Sequence, residues 1–262
     1  MVGGSGADDG GNGQAFGSGF FVQGSVLAFG GTGTYTVTND IADQNGSGGS
    51  GASDGLGGTG GATSLHKIGV GTLVLAGNNN YTGATNVEAG ILKVDGSIAN
   101  SSQTLVGGGG TLGGSGTVGN VMVLSNGALA PGDGAGILHT GSLKLAAGAN
   151  FLIELAGTAH DQAAVTGTVN VAGANLSVSL LNGFHPSVGD KFTILANDGS
   201  DAIGGTFAGL AQGATFSAGG DRFQISYIGG DGNDIVLTAI APTINLVGTA
   251  VQDPSHLSGV LL

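Results

Sequence analysis

The sequence predicts an all-β protein built as a β-solenoid, in which short strands and tight turns form successive coils. Three observations lead to this prediction. Short apolar runs recur along the chain, and each ends at glycine or asparagine. From residue 62 onward these runs recur every 17 to 24 residues, which is about the length of one solenoid coil. Glycine makes up 58 of the 262 residues, and helical periodicity is lacking.

The composition excludes several classes of protein. The chain has no cysteine, so it holds neither a disulfide scaffold nor a cysteine-ligated metal. Its 5 Lys and Arg residues face 17 Asp and Glu residues, for a formal net charge of −12. Nucleic-acid binding needs a basic surface, and a membrane helix needs an apolar run of about 20 residues, so we expect neither nucleic-acid binding nor direct membrane insertion. No motif indicates a small-molecule substrate.

Changes in composition and in the pattern of apolar runs divide the chain into four segments. Residues 1–61 are richest in glycine and are expected to form an N-terminal segment with, at most, irregular first coils. Residues 62–158 carry the regular period and are predicted to form the parallel β-helix proper. Longer runs and aromatic residues mark residues 159–240, which are predicted to form terminal coils and a β cap over the open end. Residues 241–262 begin with Ala-Pro and are expected to link to a further domain that this chain does not contain.

Two neighbouring runs define the expected core column. Leu73 and Leu75 share one face of the first run, and Leu92 and Val94 share one face of the second, where Lys93 must point outward. Coils stacked about 4.8 Å apart place Leu73 beside Leu92 and Leu75 beside Val94, as a continuous apolar column. The strand-like starts that continue the series are Leu112, Leu129, Leu152 and Leu176.

Residues 67–96 resemble the autotransporter-associated β-strand repeat of bacterial surface proteins. The matching elements include Lys67, Gly71-Thr72-Leu73, the turn at residues 78–83 and Gly90-Ile91-Leu92, in that order. Flanking segments are similar to those around the repeat in such proteins, so the resemblance covers about residues 15–240. It implies a right-handed, single-stranded parallel β-helix in the extracellular passenger of a larger exported protein. The C-terminal membrane barrel of autotransporters is not expected within this chain.

The fold and the resemblance together imply a structural or adhesive role. Stacked coils make a rigid column whose turns vary without disturbing the core. We therefore expect a stalk or adhesin at the bacterial cell surface or secreted, with no catalysis and no cofactor. Its expected partners are host or matrix glycans, host or matrix proteins, or further copies of itself. The turn Asn78-Asn79-Asn80-Tyr81 is a candidate for glycan binding, although asparagine is also common in turns for its own hydrogen bonding.

Calcium binding near the C-terminal end is a second hypothesis. Residues 229–237 read GGDGNDIVL and fit the calcium nonapeptide G-G-x-G-x-D-x-U-x. Asp231 and Asp234 would supply carboxylate oxygens to the ion. Calcium rolls share each ion between consecutive repeats, and this sequence contains one repeat. A plain Gly-Asp-Gly turn before the last strand is therefore the competing interpretation.

A polysaccharide-active enzyme is a third hypothesis, because parallel β-helices include lyases and hydrolases. Such an enzyme needs carboxylates clustered in one groove. The sequence offers the adjacent pair Asp8-Asp9 and the pair Asp198 and Asp201, which are typical of solvated turns. The five histidines lack the spacing of metal ligands. This hypothesis gains support if carboxylates from several coils meet in one groove.

Overall fold

The computed structural model of the chain describes residues 19–22, 24–47 and 61–242. Within these ranges the chain forms 25 β-strands and contains no helix, so the all-β prediction is confirmed. It follows that no helix of this part is long and apolar enough to span a membrane. The pair Asp8-Asp9 and all of the expected linker beyond residue 242 lie outside the described residues.

Three long sheets run along the molecule; each coil contributes one strand to the first two, and the third sheet begins with the third coil. A small parallel pair at the N-terminal end consists of β1 (Phe20–Val22) and β4 (Ile41–Asp43). The first long sheet contains, in stacking order, β2 (Val26–Phe29), β5 (Ser64–Lys67), β7 (Thr85–Val87), β10 (Thr104–Val106), β13 (Val121–Val123), β16 (Leu143–Leu145) and β20 (Val169–Asn170).

The second sheet contains β3 (Thr34–Val37), β6 (Thr72–Leu75), β8 (Gly90–Val94), β11 (Gly110–Gly114), β14 (Ala128–Pro131), β17 (Asn150–Ala156) and β21 (Asn175–Leu180), with β18 (Ala159–His160) antiparallel to β17. The third sheet contains β9 (Ser97–Ile98), β12 (Thr117–Val118), β15 (Ile137–Thr140), β19 (Gln162–Val165), β22 (Lys191–Asn197), β25 (Asp234–Ile240), β24 (Asp221–Gly229) and β23 (Thr215–Ala218). These strands form seven coils. The first contains β2, β3 and β4, and the seventh contains β20, β21 and β22. This architecture is a parallel β-helix.

The inward face of the second sheet forms the core column. In β6 and β8, Leu73 pairs with Leu92 and Leu75 pairs with Val94, and all four side chains are buried. The column continues through Leu112, Leu129, Phe151 and Leu176. Phe151, rather than Leu152, occupies the inward position in β17, and Leu152 lies on the outer face. The ladder of backbone hydrogen bonds sets this register, and a shift by one residue would turn the inward side chains outward.

The last strands close the C-terminal end of the column. Parallel pairing continues as far as β22, which then pairs antiparallel with β25, so residues 159–240 include a seventh coil and an antiparallel hairpin stack. Aromatic rings fill this end. Phe151 stacks on Phe207 with ring centroids 5.9 Å apart, and Phe192 meets Phe223 edge-on at 6.4 Å. The Tyr227 hydroxyl donates to the Leu210 carbonyl oxygen, which gives a buried ring a satisfied polar end.

One buried carboxylate ties the first two coils together. Asp43, at the end of β4, is fully buried. Its Oδ1 accepts a hydrogen bond from the Gly46 amide at 2.7 Å. Its Oδ2 accepts from the amides of Thr63 at 2.8 Å and Thr82 at 2.6 Å and from the Thr82 hydroxyl at 3.1 Å. Four donors thus replace the water that burial removed from this carboxylate.

Lys67, a matching element of the resemblance, lies on the inward side of β5 and is buried. Its ammonium group donates to the carbonyl oxygens of Gly69 and Ala89, which belong to successive coils. Burial lowers the pKa of Lys67. Gly90 leaves the space that this ammonium occupies, because a Cβ atom there would lie 2.7 Å from Lys67 Nζ. A buried lysine therefore links the turns of two coils where an apolar residue would leave carbonyls without donors.

Candidate functional site

A groove of about 200 Å³ lies on the outer face of the second sheet. Strand register places Lys93 of β8, Gly113 of β11 and Ala130 of β14 in one row across this face. Because Gly113 has no side chain and that of Ala130 is small, the floor is low between the larger side chains of Ile91 and Leu152. The other lining residues are Thr111, Pro131, Gly132, Asp133, Gly134, Glu154 and Asp161.

An ion pair spans this groove. The Lys93 ammonium donates to the Asp133 carboxylate, although the two residues belong to the third and fifth coils. The small residue at position 113 lets the lysine side chain lie along the face. Lys93 is outward-facing and partly exposed, as the alternation of β8 predicted, but its pairing with a loop forty residues later is not visible in the sequence.

A buried carboxylate supports one end of the groove. Asp161 is only 2% exposed, and its oxygens accept hydrogen bonds from the amides of Glu154 at 2.8 Å and Gly136 at 3.1 Å. Burial raises the pKa of Asp161 to about 7, while the two amide hydrogen bonds act in the opposite direction. Asp161 thereby holds the β17–β18 hairpin against the loop after β14, which carries Asp133.

The chemistry of this groove suits the binding of a polar ligand. Carboxylates of Asp133 and Glu154 accept hydrogen bonds from hydroxyl groups, and Ile91 and Leu152 offer apolar surface beside them. Glycosidases need two carboxyl groups that flank one bond of the substrate. Asp133 and Glu154 are two carboxyl groups from different coils that meet in this groove, which is the condition stated above for the enzyme hypothesis, whereas Asp161 is buried and engaged by two amides. Sequence reasoning missed this site because its residues come from different coils.

The predicted glycan-binding turn is part of the solenoid itself. Tyr81 is 1% exposed, its hydroxyl is 2.7 Å from Thr85 Oγ1, and burial raises its pKa. The Asn79 carboxamide accepts from the Ile41 amide at 2.9 Å and donates to the carbonyl oxygens of Gly77 and Ser97. These side chains join three successive coils, so only Asn78 and part of Asn80 remain exposed in the turn.

The two aspartates of the calcium hypothesis lie at the hairpin turn between β24 and β25. Asp231 is exposed in the turn, whereas Asp234 begins β25 and its Oδ1 accepts a hydrogen bond from the Asn197 amide at 2.9 Å. In the part of the chain that the structure describes, no group of three or more His, Cys, Asp or Glu side chains is arranged to hold a metal ion. Any cation here must therefore rely on other oxygens.

Comparison with known proteins places this fold in a biological context. Residues 65–94 match the passenger-associated-transport-repeat. The chain is 35% identical over 152 residues to an extracellular serine protease of Serratia marcescens, a match that spans 55% of this chain and 14% of that protein. It is 49% identical over 74 residues to the adhesin BmaC autotransporter of Brucella suis biovar 1 (strain 1330), which spans 28% of this chain and 2% of that protein. The resemblance to autotransporter passengers is confirmed.

The matched repeat covers strands of the second and third coils of the β-helix. It begins in β5, runs through β6 and β7, and ends with β8, so it contains Lys67, the Asn79 turn and the four predicted column residues. These matches support a secreted or surface-displayed passenger module, and the predicted extracellular or cell-surface location is confirmed. The chain spans only a small part of the length of either relative.

Proposed function

We propose that this module is a rigid structural and adhesive element of a bacterial passenger, without catalysis of its own. The observation that carries the proposal is the column of inward-facing apolar side chains in the second sheet. It is buried from Leu73 to Phe151, half-buried at Leu176, and has no polar interruption. A shape held by such a column needs no ligand to persist. The adhesin name of one relative supports the same proposal.

The physical mechanism is stacking. Each coil hydrogen-bonds to its neighbours and extends the apolar column, so stability is a sum of local contacts. Seven coils about 4.8 Å apart make a rod segment of roughly 30 Å. Turns between strands lie at the surface, where they can vary in sequence and meet a partner while the column stays intact.

Limited proteolysis combined with mass spectrometry tests the structural part of this proposal. A stacked solenoid exposes little extended backbone, so cleavage by a broad-specificity protease is expected in surface turns such as residues 182–190 and not within β5 to β16. Rapid cleavage within β6 or β8 in native buffer would contradict a rigid column. Incubation with a panel of polysaccharides should release no reducing ends, and release would instead support the enzyme hypothesis.

Glycan binding in the groove is a second candidate function. The observation that favours it is the meeting of Lys93, Asp133 and Glu154, from three coils, beside apolar surface. The excess of carboxylates favours neutral or amino sugars over sulfated ones, because like charges repel. Host or matrix proteins and other copies of the chain are alternative partners for the same surface.

A glycan and matrix-protein array tests this candidate with matched variants. Ala130→Arg fills the groove from its floor, and Thr36→Arg adds the same side chain to the outer face of the same sheet in the first coil. We expect the native protein and Thr36→Arg to bind the same glycans, and Ala130→Arg to lose them. Binding that survives in Ala130→Arg, with both variants folded by circular dichroism, would place the ligand elsewhere.

A further inference from the structure

Two acidic segments meet at the end of the cap. The loop at residues 198–201 follows β22, and the turn at residues 230–233 joins β24 to β25. Strand β22 lies beside β25, so the loop and the turn leave the third sheet on the same side. Asp198, Asp201 and Asp231 lie on these segments and Asp234 directly follows the turn, and neither residues 197–203 nor residues 229–237 contain Lys or Arg. The region therefore carries an uncompensated negative charge.

The loop turns three backbone carbonyl groups towards one side chain. Asn233 Nδ2 lies 3.2 Å from the carbonyl oxygen of Asp198, 3.4 Å from that of Gly199 and 3.1 Å from that of Asp201. Asn197 Nδ2 lies 2.8 Å from the same Asp201 oxygen. A carboxamide nitrogen has two hydrogens, so the three carbonyl groups around Asn233 exceed its donors.

The oxygens of the same two carboxamides have no partner. Asn197 and Asn233 are 4% and 5% exposed, and Oδ1 of each is buried without a hydrogen bond. An unsatisfied buried oxygen destabilises a fold, and two of them, on carboxamides that share the Asp201 carbonyl oxygen as a partner, commonly mark a bound water or ion. Backbone carbonyl oxygens and unpaired carboxamide oxygens in an acidic region are suitable ligands for a cation.

We propose that this pocket binds a calcium ion, with the carbonyl oxygens of Asp198, Gly199 and Asp201 and Oδ1 of Asn197 and Asn233 as ligands. The side-chain torsion of asparagine is broad and roughly two-fold, so a half-turn of each carboxamide brings its oxygen to the carbonyl groups. The spacing of 3.1 to 3.4 Å around the Asn233 head then becomes a spacing between ligand oxygens. Two oxygens about 2.4 Å from calcium and at right angles to each other are about 3.4 Å apart.

This site differs from the one that the nonapeptide pattern suggests. Asp234 keeps its hydrogen bond to the Asn197 amide and positions that residue, and the exposed Asp231 contributes charge from a distance. Calcium suits the ligand set better than magnesium, which keeps most of its water and demands octahedral geometry. The ion would tie the loop that leaves the seventh coil to the final hairpin, so it would stabilise the cap whatever the module binds.

Thermal unfolding and titration calorimetry of the full chain test the proposal, with calcium, magnesium or a chelator at fixed ionic strength. A ligand that binds only the folded state raises the melting temperature. We expect a rise of several degrees in millimolar calcium, a smaller rise in magnesium, and a one-site binding isotherm. Asn233→Asp should melt lower than the native protein in chelator, because it loses the amide donor, and should gain more from calcium. Asn175→Asp is the control, since it adds the same charge on an exposed surface.

Three results would overturn the proposal. No binding heat and no change in melting temperature for the native protein would show that the oxygens hold water alone, and this measurement does not depend on any variant. Equal calcium responses in Asn175→Asp and Asn233→Asp would show that the ion acts only on overall charge. A response that Asp231→Asn abolishes and Asn233→Ala leaves intact would place the ion in the exposed turn.

Discussion

Replacing Leu75 by alanine is the most direct test of the column. Leu75 is fully buried in β6, and its register partners are Val37 in the preceding coil and Val94 in the following one. The substitution removes three carbon atoms that touch both neighbours. Because coils bury their core only against adjacent coils, a hole at this level removes contacts on both sides at once.

The expected loss follows from burial and packing. Each buried methylene group contributes about 0.8 kcal/mol, so three carbons account for about 2.5 kcal/mol. The cavity left between Val37 and Val94 adds to this, because backbone hydrogen bonds hold the coils apart and limit collapse. We expect Leu75→Ala to lower the free energy of unfolding by about 3–4 kcal/mol.

Urea unfolding followed by circular dichroism measures this loss. Val74→Ala is the matched control, because Val74 is the neighbouring residue on the outer face and pairs with Thr36 and Lys93. We expect the control to lose less than about 1 kcal/mol. Equal losses for the two variants, or a loss below about 1 kcal/mol for Leu75→Ala, would refute the assigned faces of β6.

Three further predictions follow from polar groups and backbone geometry. Asp43→Asn places an amide donor against four donors and should lower the free energy of unfolding by about 3 kcal/mol. Asp40→Asn alters an exposed contact and should lower it by less than about 1 kcal/mol in the same urea unfolding assay. Burial raises the pKa of Asp161 from 3.8 to about 7 in the folded state, so its contribution to stability is fully present below about pH 4 and is lost as the pH rises to 7. The native urea midpoint should therefore fall between about pH 4 and pH 7, and Asp161→Asn should flatten that fall. Gly90→Ala brings a Cβ within 2.4 Å of two backbone carbonyl oxygens at φ 67° and should lower the melting temperature far more than Gly134→Ala, where φ is 72° and the space is open.

The regular part of the fold is readable from local sequence. Apolar residues alternate in runs a coil apart, and that pattern is enough to place Leu73 beside Leu92 and Leu75 beside Val94. The strand register between neighbouring coils cannot be predicted from local sequence where the coil length changes. The sixth coil carries the extra β17–β18 hairpin, and two adjacent apolar residues compete there for the inward position. Hydrogen bonding to β14 settles the competition in favour of Phe151.

Buried polar side chains that form hydrogen bonds between coils are harder to predict from the sequence. Lys67 looks like a surface residue by its charge, yet it is buried because two successive turns present carbonyl oxygens that need a donor. Asp43 is one acid among many in the sequence, and its four donors come from positions up to 39 residues away. Nothing local distinguishes such a residue from a solvated one.

The sequence alone is enough to predict an all-β solenoid and its period, because these depend on residues within one or two coils of each other. Its likeness to passenger proteins rests on the resemblance of a segment of similar length to a known repeat. The groove of Lys93, Asp133 and Glu154 and the oxygens around Asn233 emerge only when the chain is stacked. Their members lie between about 20 and 60 residues apart, at distances set by turn lengths and by the hairpins of the cap. The alternation of apolar and polar residues determines which face of a strand a residue lies on. The register between stacked coils determines which residues of different coils become neighbours.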